Sequence, residues 1–243
     1  ILILFIILTI TWVRFEPNAF SILKLELSLI SVGIPIYLLL EFYYDPDAIV
    51  KITDSLAYFS KWLENFTLPP RIRKSIIDMV GEIKNKTILE FGCSVGTLTV
   101  KLAELTKPLG KVYATDISKK DLLITRQRLL RKGHKHVKVI HDEHQINRIH
   151  PSIPHVDAII SVGMLGYLQD VKKVLSEMRE ILPYGGKIVL VDYADFFKFI
   201  PNVAWLSDDE SIERLFKESG FEVFVTRKKG IFWNYIFVNG VKI

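Results

Sequence analysis

Two glycines and two acids are spaced in a way that suits the binding of a nucleoside. The segment TILEFGCSVGTLTV, residues 87–100, is an apolar run that reaches Glu90 and turns at Gly92 and Gly96. A second apolar run, KVYATDIS, ends at Asp116. Glycine lets a backbone approach a ligand closely, and a carboxylate at the end of the neighbouring strand can accept hydrogen bonds from both hydroxyls of a ribose. The spacing therefore indicates a nucleoside-containing ligand held at two adjacent turns.

The elements that position these turns follow from the hydrophobic pattern. Strands are predicted at residues 87–91, 111–116, 136–142, 156–163 and 187–193, with two extended runs within 221–240. Helices are predicted at 71–83, 97–106, 118–133, 170–181 and 207–220. Alternation of strands and helices predicts a parallel sheet with helices on both faces, and a closing strand pair without a helix predicts one antiparallel strand. The expected fold is a doubly wound α/β domain: a mostly parallel seven-stranded sheet with a terminal antiparallel strand, preceded by N-terminal hydrophobic helices.

Two helix starts carry capping signals. Ser118 is followed three residues later by Asp121, and Gly133 is placed to end that helix. The stretch SDDE, residues 207–210, predicts a capping box that begins at Ser207.

The N-terminal residues are strongly apolar and predict a membrane anchor. Residues 1–13 carry no charge, and a stretch from about Ser21 to Leu40 is about long enough to span a bilayer. We expect two antiparallel membrane helices in residues 1–44, a linker with an amphipathic helix in 45–70, and the main domain in 71–243. A cleaved signal peptide or a buried dimerisation arm are the alternatives. Because the chain begins at Ile1, we also expect residues upstream.

Charges after the second apolar run predict its orientation. Several lysines and arginines follow it, so the positive-inside rule puts the main domain in the cytoplasm, on a membrane-associated protein. The apolar stripe of residues 54–66 either packs on the domain core or binds the lipid bilayer, which is the expected partner surface.

Cysteine and histidine usage excludes several kinds of site. Cys93 is the single cysteine, so an intrachain disulfide is impossible and a cysteine-based metal site is implausible. The six histidines lie within 134–155 without the H-E-x-x-H spacing of a zinc site, and no metal is expected. The net charge of +5 suits a phosphate-bearing ligand or an anionic membrane face without distinguishing them.

The motifs of residues 70–238 together resemble those of class I S-adenosylmethionine-dependent methyltransferases. LEFGCSVGTLT is similar to the first motif of that family, ATDIS to the second, LPYGGKIVLVD to the segment that enters the fifth strand, and LFKESGFEV to the helix and strand before the closing hairpin. The family often has glycine where this chain has Ser94, which puts the strength of cofactor binding in doubt. The resemblance implies S-adenosyl-L-methionine as the cofactor.

The resemblance also implies roles for individual residues. Glu90, Gly92 and Gly96 line the methionine side, Asp116 and Ile117 hold the ribose and flank the adenine, and Asp142 meets the adenine amino group. The fourth strand ends at Ser161–Met164, where the family presents backbone to the cofactor and the acceptor. The full predicted set is Glu90, Phe91, Gly92, Cys93, Ser94, Gly96, Asp116, Ile117, Asp142 and Ser161. Two simpler alternatives stay open: Glu90 satisfied by backbone amides, and Asp142 as a solvated loop acid.

The methyl acceptor is less well determined. No Asn-Pro-Pro-aromatic tetrad follows the fourth strand and no Pro-Cys nucleophile is present, so nucleic acid is not an expected partner. The predicted anchor favours a small-molecule or lipid acceptor, of the phospholipid head-group or isoprenoid-quinone type. A catalytic base is needed only if the acceptor carries a proton at the moment of attack. Its identity is unknown, with His141, His144, Tyr167 and Tyr193 as weak candidates.

Two other functions compete with this hypothesis. A non-catalytic S-adenosylmethionine-binding module tethered to the membrane is consistent with Ser94 and with the lack of an obvious base. A nicotinamide-dependent dehydrogenase is disfavoured, because the chain lacks the middle glycine of G-x-G-x-x-G.

Overall fold

The computed structural model of the chain describes residues 67–196, 200–230 and 233–243. The predicted membrane helices, their hairpin and the linker helix fall in residues 1–66 and lie outside the described residues. Among the residues that are described, no helix is both long and apolar enough to cross a bilayer.

A seven-stranded sheet forms the centre of the domain. Its strands are β1 (Thr87–Phe91), β2 (Lys111–Asp116), β3 (Val137–His141), β4 (Ala158–Val162), β5 (Lys187–Tyr193), β8 (Phe221–Lys229) and β9 (Asn234–Lys242). Their spatial order is β3-β2-β1-β4-β5-β9-β8, and a separate short pair comprises β6 (Asp195–Phe196) and β7 (Ile200–Pro201). The predicted mostly parallel sheet is confirmed. The antiparallel strand is β9, the last in the chain, and it lies between β5 and β8.

Helices cover both faces of this sheet. They are α1 (Pro70–Val80), α2 (Thr97–Leu105), α3 (Lys119–Arg131), α4 (Val171–Ile181) and α5 (Asp209–Glu218). One apolar core contains Ile76 of α1 and Leu102 of α2, and a second contains Leu175 of α4 and Phe216 of α5. All four side chains have no exposed surface, so the two cores hold the sheet between two helical layers.

The helix ends follow local chemistry, with one correction. The Ser118 hydroxyl accepts a hydrogen bond from the Asp121 amide, and α3 ends just before Gly133, as predicted. The prediction that Ser207 caps α5 is wrong: Asp208 is the cap, and its carboxylate accepts from the amide of Ser211. A carboxylate near a helix N-terminus also interacts favourably with the helix dipole, which gives Asp208 an advantage over a neutral serine.

Parallel register brings the predicted turns to one edge of the sheet. The amides of Gly92 and Cys93, after β1, donate to the Thr115 carbonyl of β2 at 3.0 and 2.9 Å. The amide of Asp142, after β3, donates to the Asp116 carbonyl at 3.0 Å. The carboxyl ends of β1, β2 and β3 are therefore joined by backbone hydrogen bonds, at the edge where ligands bind in sheets of this kind.

Candidate functional site

The turn after β1 has a backbone shape that depends on glycine. Gly92 and Gly96 have φ of +85° and +81°, in the left-handed region that side chains disfavour. A Cβ atom at Gly92 would lie 2.4 Å from Cγ of Met164, and one at Gly96 would lie 2.7 Å from Oγ1 of Thr125. Both positions thus require glycine for conformation and for space.

Ser94 occupies the middle of this turn and is anchored to α3. Its φ of +46° is the left-handed conformation that glycine would adopt more easily. Its amide donates to Asp116 Oδ2 at 2.7 Å, and its hydroxyl donates to Asp121 Oδ2 at 3.0 Å. Its carbonyl accepts from Thr125 Oγ1 at 2.7 Å. The serine therefore keeps the turn in place through three hydrogen bonds.

Asp116 is oriented by the two turns beside it. The carboxylate is 7% exposed, and its oxygens accept from the amides of Ser94 at 2.7 Å and Ser118 at 2.9 Å. A carboxylate offers about four acceptor positions, and these two amides fix the directions in which its oxygens point. This geometry suits the predicted bidentate contact with two ribose hydroxyls.

The glycine turn lies in a negative electrostatic environment. Burial raises the pKa of the Cys93 thiol well above its usual value, and the nearby carboxylates of Asp116, Glu90 and Asp121 raise that pKa further. Cys93 is 4% exposed, so it is a protonated packing residue of the turn. The same three carboxylates create a potential that favours a positively charged ligand, such as a sulfonium.

The turn after β3 contains one predicted residue and one that the sequence analysis missed. Asp142 is 2% exposed, which overturns the alternative that it is a solvated loop acid. Its Oδ1 accepts from the amide of His144 and from the Arg148 guanidinium, whereas Oδ2 has no donor in the part of the chain that the structure describes. Gln145 is completely buried, and its side-chain oxygen also lacks a donor there. Glutamine carries no sequence signal of burial, so only its three-dimensional position identifies it.

Three predicted residues contribute to the site through packing or through their backbone. The hydroxyl of Ser161 donates to the Phe91 carbonyl at 2.6 Å, and the Phe91 side chain is buried in the core. These two residues therefore fix β4 against β1 beneath the glycine turn. The Ile117 carbonyl accepts a hydrogen bond from Nε2 of His141 at 3.0 Å, which ties the end of β2 to β3.

The four candidate bases lie on two sides of the carboxyl edge. His141 lies at the end of β3 and His144 follows it. Nε2 of His141 is already engaged, because it donates to the Ile117 carbonyl. Tyr167 follows β4 and Tyr193 ends β5. Burial, with a smaller effect of the Asp192 charge, raises the pKa of Tyr167 to about 12. Burial also raises the pKa of Tyr193. Both phenols are therefore protonated at neutral pH.

A buried carboxylate organises the loops after β4 and β5. Asp192 is 3% exposed, and it accepts hydrogen bonds from the amides of Gly166 at 3.0 Å and Tyr193 at 2.7 Å and from Asn202 Nδ2 at 3.1 Å. Asn202 also donates to the Tyr193 carbonyl at 2.6 Å. Burial raises the pKa of Asp192. The sequence analysis missed this cluster, because its members are far apart in the chain.

An aromatic group lies at the same end of the sheet. The ring centroids of Trp233 and Tyr235 lie 5.5 and 5.6 Å from that of Tyr193. The Tyr235 hydroxyl accepts from the Trp233 indole at 2.8 Å and donates to the Thr67 carbonyl at 2.9 Å. Since Tyr235 pairs with Tyr193 at the carboxyl end of β5, Thr67 also lies at the carboxyl edge.

The described residues fit the predicted cofactor. Gly92 provides a backbone surface without a side chain, and Asp116 is aimed by two amides. Asp142 and Gln145 each present a buried oxygen that lacks a donor within the described residues. Such oxygens are rare in folded proteins unless a ligand or water supplies the hydrogen bond. The donors of a nucleoside and an ammonium group would satisfy them.

Comparisons with known proteins agree with this geometry. Residues 89–188 match the model of a family described as a methyltransferase domain. The demethylmenaquinone methyltransferase of Geobacillus sp. (strain WCH70) is 25% identical over 173 residues, covering 57% of this chain and 71% of that protein. The chain spans about half the length of two other proteins of that name, from Anoxybacillus flavithermus and Geobacillus stearothermophilus.

Solved structures show the same fold. The SAM-dependent methyltransferase of Aquifex aeolicus has a TM-score of 0.61 at 19% identity and covers 82% of this chain and 100% of that one. The magnesium protoporphyrin IX methyltransferase of Synechocystis PCC 6803 with bound SAH has a TM-score of 0.62 at 15% identity, with the same coverage. The predicted α/β fold is confirmed.

Proposed function

We propose that this chain, an S-adenosylmethionine-dependent methyltransferase, transfers a methyl group to a lipid-like acceptor of the isoprenoid-quinone type. The reaction class agrees with the family match at residues 89–188. The cofactor agrees with the donor-lacking oxygens of Asp142 and Gln145 and with the carboxylates around the glycine turn. The acceptor class is supported by the relatives named demethylmenaquinone methyltransferase, which are about 25% identical to this chain.

The two ends of α1 show which edge of the sheet the described chain enters. Thr67 precedes α1, and its carbonyl accepts a hydrogen bond from the Tyr235 hydroxyl at the carboxyl edge of the sheet. At the other end of α1, Lys187 Nζ donates to the carbonyls of Met79 and Val80 at the amino edge. The described chain therefore enters the sheet at the edge that carries the glycine turn. We propose that the apolar residues within 1–44 anchor the protein to the bilayer, with the domain in the cytoplasm, and that the acceptor is dissolved in this membrane.

The residues of the chain divide the chemical work between them. When bound, S-adenosylmethionine supplies an electrophilic methyl group on a positively charged sulfur. The carboxylates of Glu90, Asp116 and Asp121 would favour the binding of that positive charge at the glycine turn. The remaining task is to align the acceptor behind the methyl group, since proximity and orientation provide most of the rate enhancement in such a transfer.

Groups after β4 and β5 can orient the acceptor. The protonated phenol of Tyr167 can donate a hydrogen bond to a quinone or hydroquinone oxygen. Asp192 and Asn202 hold the loops that carry Tyr167 and Tyr193 in fixed positions. A base must remove a proton from the acceptor if the attacking atom carries one, and His144 stays the exposed candidate for that step.

The proposal is tested by incubating the full-length protein with native membranes and S-adenosylmethionine that carries a labelled methyl group. We expect label in the organic extract, in a quinone species heavier by one CH₂ group, and little label with Asp116→Ala. Vesicles containing phosphatidylethanolamine without quinone serve as the control for head-group methylation. Label confined to protein, to water-soluble products or to the phospholipid would contradict the quinone-type acceptor. Cofactor binding without any turnover would instead favour the non-catalytic module.

A further inference from the structure

Gln145 supplies one of the buried oxygens that lack a donor among the described residues, and its environment is unusual. The residue follows β3, and its exposed fraction is 0%. Among the described residues its side-chain oxygen, Oε1, has no hydrogen-bond donor. Glutamine is mostly exposed in proteins, and a buried amide oxygen without a donor destabilises the folded protein. A position that carries this cost suggests a hydrogen-bond donor outside the chain.

The surroundings of Gln145 show where such a donor would come from. The side-chain nitrogen, Nε2, lies 3.8 Å from Sδ of Met164 and 3.6 Å from the place that a Cβ atom of Gly92 would take. Met164 itself packs on Gly92. The carboxamide is thus beside the glycine turn, with its nitrogen directed to the thioether. Its oxygen is the group left to accept a hydrogen bond.

The cofactor has three kinds of N–H or O–H donor: the ribose hydroxyls, the adenine amino group and the α-ammonium group of the methionine part. Asp116 suits the ribose hydroxyls, and Asp142 suits the adenine amino group. The methionine part is the one expected beside Gly92. We infer that Oε1 of Gln145 accepts a hydrogen bond from the α-ammonium group of S-adenosylmethionine. The inference rests on the cofactor of the proposed function and is independent of its acceptor.

The test compares two ligands on three proteins by titration calorimetry. The ligands are S-adenosylhomocysteine and its deamino analogue, which carries hydrogen in place of the α-ammonium group. Gln145→Met keeps the length of the side chain and removes the acceptor, so we expect it to bind S-adenosylhomocysteine about tenfold more weakly. The deamino analogue should bind the wild type and this variant equally. Gln127→Met, on the exposed surface of α3, is the matched control and should change neither affinity.

A second variant separates the contact from a structural role. Gln145→Glu keeps an oxygen acceptor and should retain S-adenosylhomocysteine within about twofold of the wild type, or bind it more tightly, because a carboxylate attracts the ammonium. Equal losses of both ligands in Gln145→Met would show that Gln145 supports the fold or the nucleoside, and no loss of either would show that it makes no contact. Both outcomes overturn the inference. If the wild type binds neither ligand, the assignment of the cofactor fails as well. If only the quinone assay fails, the acceptor assignment is wrong, and the affinities for S-adenosylhomocysteine and its deamino analogue still test the role of Gln145.

Discussion

The carboxyl edge of the sheet has two halves that are built in different ways. The cofactor half, at the ends of β1, β2 and β3, consists of a glycine turn and carboxylates held by backbone amides, in residues 90–96, 116–121 and 142–145. The other half, where the proposed function places the acceptor and which we call the acceptor half, lies at the carboxyl ends of β4 and β5 and at the amino end of β9. It consists of residues 164–167, 192–193, 202 and 233–235. It contains four aromatic side chains and one buried carboxylate, Asp192.

This difference shows how each half obtains its specificity. The groups of the cofactor half come from short motifs in which backbone conformation sets the position, because a glycine turn and a strand end leave few arrangements. In the acceptor half, Asp192 joins Gly166 and Asn202, which lie 26 and 10 residues away in the chain. The cofactor half should therefore respond to changes in backbone geometry, and the acceptor half to changes in side-chain contacts.

The largest effect is expected for Gly96→Ala in the cofactor half. The new Cβ atom would lie 2.7 Å from Oγ1 and Cγ2 of Thr125. The alanine would also have to keep the backbone φ near +81°. The left-handed conformation and overpacking together should reduce the free energy of unfolding by roughly 2–4 kcal/mol, with a loss of cofactor affinity. Chemical denaturation and calorimetry measure the two effects.

Gly185→Ala is the matched control, because Gly185 has φ of +73° and no atom within 4 Å of a new Cβ. It should show only the conformational part of the loss, about 1–2 kcal/mol, with cofactor affinity unchanged. Equal losses in the two variants would show that the contact with Thr125 contributes nothing to the glycine turn.

Asp116→Ala tests the cofactor half through a side chain. Loss of charge-assisted hydrogen bonds to the ribose should weaken cofactor binding by roughly 1.5–3 kcal/mol. Calorimetric titration with S-adenosylhomocysteine measures the change. An affinity equal to that of the wild type would show that the ribose assignment is wrong.

Asp192→Asn should have the smallest effect and should leave the cofactor half intact. The substitution replaces one carboxylate oxygen by an amide nitrogen that faces the hydrogen-bond donors around Asp192. We therefore expect the free energy of unfolding to fall by about 1 kcal/mol. The KM for the acceptor should rise, and the Kd for the cofactor should stay unchanged. A weaker cofactor affinity would contradict the independence of the two halves.

The pH dependence of this variant gives a further check. Burial raises the folded pKa of Asp192, so its contribution to stability is complete below the pKa of an unfolded aspartate, about 3.9, and is lost as pH rises through the folded pKa. The variant lacks this titration. Its deficit relative to the wild type should therefore shrink from acidic to neutral pH in denaturation experiments. A deficit that grows over that range would show that the carboxylate is stabilised in its charged form.

Much of the cofactor half could be predicted from the sequence. Gly92, Gly96 and Asp116 follow apolar runs whose period identifies strands, and parallel strands place their carboxyl ends at one edge. The cap at Ser118 was also predictable because a cap is a local hydrogen bond. Gln145 and Asp192 could not be found in this way, since their burial and partners depend on how distant segments pack.

The sequence by itself determined the alternation of strands and helices, the glycine turn and the acid that follows β2, because these depend on backbone preferences and hydrophobic period within a few residues. Only the tertiary structure decided that Ser94 is held by Asp121 and Thr125, that Asp142 and Gln145 are buried, and that Thr67 meets Tyr235 at the carboxyl edge. Burial and long-range hydrogen bonds arise when the whole chain packs, so no short segment contains them.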